Sequence, residues 1–549
     1  MKKTVLHWRL FSKCKHFHRR RPVTCHLTTS ACSKPYFVTT PIFYVNAAPH
    51  IGHLYSCLLG DAQARWRRVK GQTTLFATGT DEHGLKIQQA AASANLEPQI
   101  FCDSISQKFQ STFDAAGIKY DTFVRTTAPA HRAAVHAFWH KLVEAGHIYH
   151  GSYSGWYSVP DEAFLSEDDI ESRTIVDGST VKVSKDSGHP VSWTEEKNYM
   201  FRLSDFQEQL LYWLNSSPIH PIQFEQPVRH MIQNLTDLSV TRDRHRLPWG
   251  IAVPGDETQT IYVWLDALVN YLTVAGYPAT KLWPPDCQII GKDILRFHAV
   301  YWPAFLIAAG LEPPSKLIVH SHWLVDNVKM SKSLGNVVDP MEKISAFGVD
   351  GLRYFMLSEG SLDSDGLYSE KRVIERINSD LANTLGNLLG RCTAPVVNKE
   401  QQLPPLVEDN LFEFLSAEDR DAHKSLYILP DSIDHLYQDY YFTKALDLVM
   451  SRLHWANSFV QLHKPWELAK LSNPSDSDQL LTVLHVAMET LRVCGILLQP
   501  VVPDLSDRLL TRLGVPAGER QFSDAQRPAT SGYQLLGDRI VLQKKVGQS

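Results

Sequence analysis

The chain has 549 residues, of which 44% are hydrophobic and 21% charged, and a formal net charge of −4. That is the make-up of an ordinary soluble protein with room for two or three domains. It excludes a general polyanion binder, so any contact with RNA must come from local patches, and no uninterrupted apolar run is long enough to span a bilayer.

The first 34 residues differ from the rest. They carry nine basic residues, Lys2, Lys3, Arg9, Lys13, Lys15, Arg19, Arg20, Arg21 and Lys34, and no acidic residue appears before Asp61. With Ser, Thr, Leu, Trp and Phe interspersed, this profile reads as a mitochondrial transit peptide cleaved between residues 20 and 34, in preference to a basic RNA-binding arm. Cys14, Cys25 and Cys32 lie in this leader, while Cys57, Cys102, Cys287, Cys392 and Cys494 are scattered singly. No disulfide or metal spacing emerges, which fits a reducing interior.

Folded structure is expected from Tyr36. Residues 36–44 read as a strand, residues 50–69 as a helix opened by a histidine motif, and residues 74–78 as a second strand. Helical patterns follow to about residue 116 and again over 130–146. Residues 149–199 are rich in Gly, Ser, Asp and Tyr with short alternations, the mark of hairpins inserted into the sheet domain. Residues 288–291 and 317–325 have the β-branched runs of buried strands. This alternation predicts an α/β fold with a Rossmann-type, doubly wound parallel sheet, which binds ligands at the carboxyl ends of its strands near the switch point. From residue 369 the pattern turns to long helices with Leu and Ile at three- and four-residue spacing, an α-helical bundle with a single strand expected at 539–542. The expected domains are a leader (1–34), a sheet domain in two halves (35–148 and 200–368), an inserted subdomain (149–199) and a helical domain (369–549).

Two motifs carry the chemistry. His50-Ile51-Gly52-His53 follows the first strand, and Lys329-Met330-Ser331-Lys332-Ser333 comes shortly after residues 317–325. Imidazole donors and ammonium groups at fixed positions stabilise charge that builds on phosphate oxygens in a transition state, and a helix N-terminus offers free N–H groups to the same anion. Either string alone is weak, since a lysine- and serine-rich loop is usually a solvated turn. Together, in this order and with Pro49 before the first and Leu334-Gly335-Asn336 after the second, they resemble the HIGH and KMSKS signatures of class I aminoacyl-tRNA synthetases. That resemblance implies activation of an amino acid by ATP, with Mg²⁺ as part of the substrate complex, and transfer to tRNA. It makes His50, His53, Lys329 and Lys332 catalytic, and His50, Gly52, His53, Gly291, Asp293, Lys329, Met330, Ser331, Lys332 and Ser333 the ATP site.

Longer strings are similar to the methionyl-tRNA synthetases over nearly the whole chain after the leader. Residues 39–50, Thr78-Gly79-Thr80-Asp81-Glu82-His83-Gly84, Tyr262-Val263-Trp264-Leu265-Asp266-Ala267, Gly291-Lys292-Asp293-Ile294 and Phe297-His298 match that family. The resemblance implies a methionine pocket of Ile42, Tyr44, Trp264, Ala267, Leu268, Tyr271 and His298, with Asp81 on the substrate ammonium and Asp293 on ribose hydroxyls. Aromatic walls suit a flexible, polarizable thioether. The inserted piece is too small for the editing domain of the isoleucine, leucine and valine enzymes, and the Cys/His zinc site of cysteinyl enzymes is absent.

Bacterial and archaeal relatives bind zinc through C-x₂-C knuckles in the insertion; here the four thiolate positions read Ser158, Asp161, Ser184 and Ser187. Hydroxyls are poor zinc ligands, so no structural zinc is expected. In the helical region Asn383, Asn387 and Arg391 share one face at four-residue spacing, with Leu381, Leu385 and Leu388 turned to the core. His463-Lys464-Pro465-Trp466 puts proline and tryptophan at a helix start. By the family resemblance Asn387, Arg391, Pro465 and Trp466 bind the CAU anticodon. Alone, an Asn and an Arg on a helix face are usually just solvated. The expected partners are methionine, ATP and tRNA(Met), with no membrane, and the expected state is a monomer in the mitochondrial matrix. The alternatives are another class I synthetase of similar size, a nucleotidyltransferase sharing the histidine motif, or an RNA-binding relative without catalysis.

Overall fold

The computed structural model describes residues 34–547, apart from 159–162, 166, 175–179, 186–187, 280, 331–334, 530 and 539. The expected transit peptide, save Lys34, lies outside the described residues. Strand β1 (Tyr36–Tyr44) pairs in parallel with β2 (Thr74–Asp81), Tyr36 opposite Thr74 and Tyr44 opposite Asp81, and β2 pairs with β3 (Thr122–Arg125). On its other edge β1 pairs in parallel with Cys287–Gly291, which pairs with Leu317–His320 and then Ile219–His220. β1 thus sits between strands to which the chain passes in opposite directions. The order reverses beside it, the switch point at which such sheets bind ligands past the carboxyl ends of their strands.

Helix α1 (Ile51–Val69) crosses from β1 to β2. Its Leu54, Leu58 and Trp66 are buried, and Arg67 and Arg68 occupy its last turn, where cations suit the carbonyl end of the helix dipole. Asp61, fully buried on α1, is held by Arg65 at 2.8 Å and by Arg353 of helix Val349–Glu359 at 2.6 Å. Arg353 also donates to the carbonyls of Val501, Pro500 and Ala116. Burial opposes a charge on Asp61, but Arg353 and Arg65 keep its carboxyl below the usual range. Such a fully satisfied pair is costly to break on one side only.

The insertion is built on two long antiparallel strands, Ile148–Ser158 and Ser192–Phe201, paired from Ile148 opposite Phe201 to Tyr157 opposite Ser192. Leu238–Ser239 extends the same sheet, and Ile170–Thr174 with Thr180–Ser184 forms a further hairpin.

Three expected elements differ. The second strand runs on to Asp81 because β1 and β3 continue its ladder on both edges. Residues 317–325 are two strands in two sheets: the first ends at His320, and Trp323–Val325 pairs instead with Val328–Lys329 and Gly366–Tyr368. Between them Ser321 donates its hydroxyl to the carbonyl of Leu362, and the His322 N–H is taken by Asp365. The described residues among 539–542 form no strand, since Arg508 rather than a neighbouring strand occupies the carbonyls of Val541 and Leu542. A short pair, Gln402–Leu403 with Tyr533–Gln534, occurs elsewhere in the helical region.

That region begins with Glu370–Arg376. Residues Ile377–Gly386 wind as a π-helix before α-helical geometry returns over Asn387–Cys392. Leu54 of α1, Phe355, Leu381, Leu446 and Leu491 belong to one continuous apolar core, and Trp66 and Lys70 both bond Asp434. Helix Pro474–Leu498 is long and apolar enough to cross a membrane by length and composition, which inspection of apolar runs does not reveal because Glu489 and Arg492 interrupt it. It lies largely inside this core, and its Glu489 and Arg492 pair at 2.6 Å.

Candidate active site

The histidine motif starts α1 through its own side chains. His50 is the N-cap with extended backbone; its Nδ1 accepts the Gly52 N–H at 3.0 Å, and Nδ1 of His53 accepts the His50 N–H at 3.1 Å. Two N–H groups that a helix start leaves unpaired are thereby satisfied reciprocally. A ring nitrogen that accepts a backbone N–H carries no proton, so each imidazole bears its proton on Nε2. The rings stack 3.8 Å apart, with His53 edge-on to Phe43 and Phe109.

The lysine motif meets this turn. A Cβ on Gly52 would lie 2.9 Å from Nδ1 of His50 and 3.6 Å from Cε of Met330, so only glycine leaves room. The Ile51 N–H donates to the carbonyl of Val338, and the Asn336 amide to that of Lys329. Ser331, Lys332 and Ser333 lie outside the described residues.

Gly291 ends its strand beside β1, and Asp293 follows it. A Cβ on Gly291 would sit 2.6 Å from Oδ1 of Asp293. Asp293 is 3.2 Å from Nε2 of His322 and 3.5 Å from Nζ of Lys329. Desolvation works against its charge, yet the His322 bond and the Lys329 ammonium hold the carboxyl well below the usual range. His320 ties the cleft to α1: its Nδ1 donates to the Ser321 carbonyl at 2.9 Å, leaving Nε2 to accept the Ser56 hydroxyl at 2.7 Å. Burial pulls His320 down to about 4 and keeps it neutral.

A second cluster forms around His298. Its Nδ1 donates to the Ile294 carbonyl at 3.0 Å, so Nε2 accepts the Tyr271 hydroxyl at 2.8 Å. Burial pulls His298 to about 4, so the pair is neutral. Trp264 is half-buried among buried neighbours. It lies face to face with Phe297 at 3.6 Å and edge-on to His298 at 6.3 Å. Ala267 and Leu268 are buried on the same helix, Val263–Leu268. Ile42 and Tyr44 are half-buried and alternate with buried Phe43 on β1, while Asp81, buried opposite Tyr44, ends β2. His83, two residues past Asp81, bonds Asp266, two residues past Trp264, at 2.6 Å, and so draws the two halves together.

Several residues of this region escape motif reading. Asp266 bonds His131 as well as His83. Glu82, buried beside Asp81, takes both Nε and Nη2 of Arg125 and the hydroxyls of Thr80 and Thr127. Phe297, within the family string Phe297-His298, and His322, within the expected strand 317–325, take contacts that the sequence does not reveal. The available signal is two histidines, His320 and His322, inside the expected strand 317–325, and Asp293 just behind the expected strand 288–291.

In the insertion Ser158 and Ser184 are buried, and Asp161 and Ser187 lie outside the described residues. The turn after Ser184 is closed by backbone bonds, Ser184 N–H to the His189 carbonyl and Gly188 N–H to the Ser184 carbonyl. Asp169 anchors the insertion to Arg296, next to Phe297, through two bonds of 3.1 and 3.2 Å.

At the helical end Leu381, Leu385 and Leu388 are fully buried, while Asn387 and Arg391 are exposed and Asn383 is half-buried. The π-helical winding before residue 387 means that four-residue spacing no longer aligns Asn383 strictly with the other two. Lys464, at φ 45°, breaks the chain between helices Phe442–His463 and Pro465–Leu468, placing Pro465 at the first helical position and Trp466, half-buried, beside it. Asn457, on the first of these helices, donates to the Thr384 carbonyl at 2.9 Å, so both candidate segments flank one helix junction.

Comparison with known proteins agrees with this layout. The family described as tRNA synthetases class I (M) matches residues 36–393. The mitochondrial methionine–tRNA ligase of Homo sapiens is 50% identical over 512 residues, covering 90% of this chain and 86% of its own. That of Xenopus laevis is 47% identical, covering 92% and 91%. The Mycobacterium tuberculosis methionyl-tRNA synthetase in complex with methionyl-adenylate superposes with a TM-score of 0.88 at 39% identity, covering 93% of this chain and all of that one. A parallel sheet with the histidine motif at its switch point and a helical end, matched along nine-tenths of the chain, place it in the class I methionyl-tRNA synthetase family.

Proposed function

We propose that this chain is a methionine–tRNA ligase: it condenses L-methionine with ATP to methionyl-adenylate and pyrophosphate, then transfers the methionyl group to tRNA(Met), releasing AMP, for translation in the mitochondrial matrix. The observation that carries the reading is the meeting of His50, Gly52 and Met330 at the switch point, with Asp293 just past the adjoining strand end and Lys329 reaching to 3.5 Å from it. The methionine carboxylate attacks the α-phosphorus, the bond to pyrophosphate breaks, and negative charge shifts to the leaving oxygens. Nε2–H groups of His50 and His53 and the ammonium groups of Lys329 and Lys332 stabilise that charge more strongly in the transition state than before it. Asp293 accepts from the ribose, and Mg²⁺ accompanies ATP as part of the substrate. Gly52 and Gly291 allow close approach, and Met330, Ser331 and Ser333 complete the nucleotide site.

Asp81 pairs with the substrate ammonium and turns the carboxylate toward ATP. Ile42, Tyr44, Trp264, Ala267, Leu268, Tyr271 and His298 enclose the thioether. Because the Tyr271 proton is engaged by His298, the pocket presents a neutral, weakly polar wall to sulfur. ATP–pyrophosphate exchange with each amino acid in turn tests the reading: methionine alone should support exchange at a high rate. Equal or better exchange with another amino acid would overturn it.

The insertion, residues 149–199, is proposed to fold without zinc. Purified protein should contain less than stoichiometric zinc by elemental analysis and keep its exchange activity after chelation once Mg²⁺ is restored. One tightly held zinc per chain would refute this.

Asn387, Arg391, Pro465 and Trp466, on the helical domain from residue 369, are proposed to read the anticodon of a monomeric enzyme's tRNA. Asparagine and arginine supply base-edge hydrogen bonds, and a tryptophan face stacks an unstacked base. Trp466→Ala should spare adenylate formation, which needs no tRNA. Loss of one stack, ~1–3 kcal/mol, should slow charging of CAU-bearing tRNA about ten- to a hundredfold. A parallel fall in exchange would make Trp466 a packing residue instead.

A further inference from the structure

We infer that Asp266 is a positioning residue that sets the length of amino-acid side chain accepted, by locking helix Val263–Leu268 to the turn after Asp81. The inference rests on the pocket assignment above. Asp266 is 1% exposed and divides its two oxygens between two elements. Nδ1 of His83, on the turn after β2, lies 2.6 Å from Oδ2, and Nε2 of His131, on helix Pro129–Glu144, lies 2.7 Å from Oδ1. Both histidines are themselves buried, and His131 makes a second contact, Nδ1 to the Thr273 hydroxyl at 2.9 Å. The turn cannot drift to follow a loosened helix. Glu82 within it is clamped by Arg125, and its carbonyl accepts the Trp249 indole N–H at 2.6 Å.

The position of Asp266 in the chain gives the lock its consequence. It lies between Trp264 and Ala267–Leu268 on one short helix, while its partner His83 lies two residues beyond Asp81. A buried carboxylate–imidazole bond thus links the turn after Asp81 directly to the helix that carries Trp264, Ala267 and Leu268. Charge-assisted bonds in a dry interior hold geometry tightly, and a fully satisfied buried network specifies a single arrangement where an apolar contact would tolerate sliding. That matters here because one methylene in an apolar pocket is worth only a roughly 10–200-fold preference, a margin that a loosened wall would erase. Burial opposes the charge on Asp266, but the two histidines outweigh it and bring the carboxyl down to about 2, in keeping with a permanently ionised anchor.

The test is ATP–pyrophosphate exchange with methionine, with ethionine (one methylene longer) and with S-methylcysteine (one methylene shorter), using Asp266→Asn and His131→Leu. The preference for methionine over ethionine and S-methylcysteine in kcat/KM should fall about tenfold in both variants, with KM for ATP unchanged. His131→Gln, which returns a donor near the position of Nε2, should recover most of the preference. A merely structural role would lower the active fraction and leave the ratio untouched, and that result overturns the inference. If Asp266→Asn does not fold, the two His131 variants decide alone. Trp264→Ala runs in parallel: altered methionine use there with an unchanged ratio in the Asp266 and His131 variants rejects Asp266 but keeps the pocket, while unaltered methionine use rejects the pocket itself.

Discussion

In ATP–pyrophosphate exchange, His50→Asn is expected to turn over on the order of 10²–10³-fold more slowly than the wild type, with little change in thermal stability. On the proposed mechanism His50 has two jobs that this variant separates. Its Nδ1 accepts the Gly52 N–H and begins α1, and asparagine is among the best N-caps, so the helix start survives. Its Nε2–H, fixed by that same bond, has no counterpart in a short amide. His50→Ala should show the same kinetic loss and an added cost of about 1 kcal/mol in stability from the lost cap. Single-turnover adenylate formation and a denaturant titration read the two quantities separately. Near-normal exchange in His50→Asn would reduce the histidine motif to a capping device.

Lys332→Ala should lower adenylate formation by a similar on-the-order-of 10²–10³ factor while methionine affinity stays near its original value. Lys332 lies outside the described residues. Lys329 lies 3.5 Å from the Asp293 carboxylate, which offsets part of its charge, so on the proposed assignment Lys332 carries the larger share of the charge on departing pyrophosphate. A lysine is a compact charge on a flexible stem and can follow oxygens whose charge develops late. Lys332→Arg should recover only part of the rate, because a planar fork does not replace a mobile point charge. Weakened methionine binding at an unchanged rate would be the wrong outcome for this assignment.

Sequence periodicity was enough for the layered architecture. β1 and α1 run as expected, and the hairpins of the insertion and the leucine-lined helices after residue 369 are read from local side-chain patterns. It failed where a distant group took over the backbone. Asp365 and Leu362 divided 317–325 into two strands, and Arg508 occupied the carbonyls of 541 and 542. The four-residue spacing of Asn383, Asn387 and Arg391 assumed α-helical geometry, which the π-helical turns of Ile377–Gly386 depart from.

By itself, the sequence determined the fold class, the two signature motifs and the family strings, because these depend on residue type and short-range order along the chain. Only the tertiary structure decided who pairs with whom: Asp293 with His322 and Lys329, His298 with Tyr271, Ser56 with His320, and Asp266 with His83 and His131. A buried polar group must find a partner, but nothing in its local pattern says which of many distant donors will reach it. That choice follows from where the strands and helices carry their ends, since a hydrogen bond is made or lost within a few tenths of an ångström.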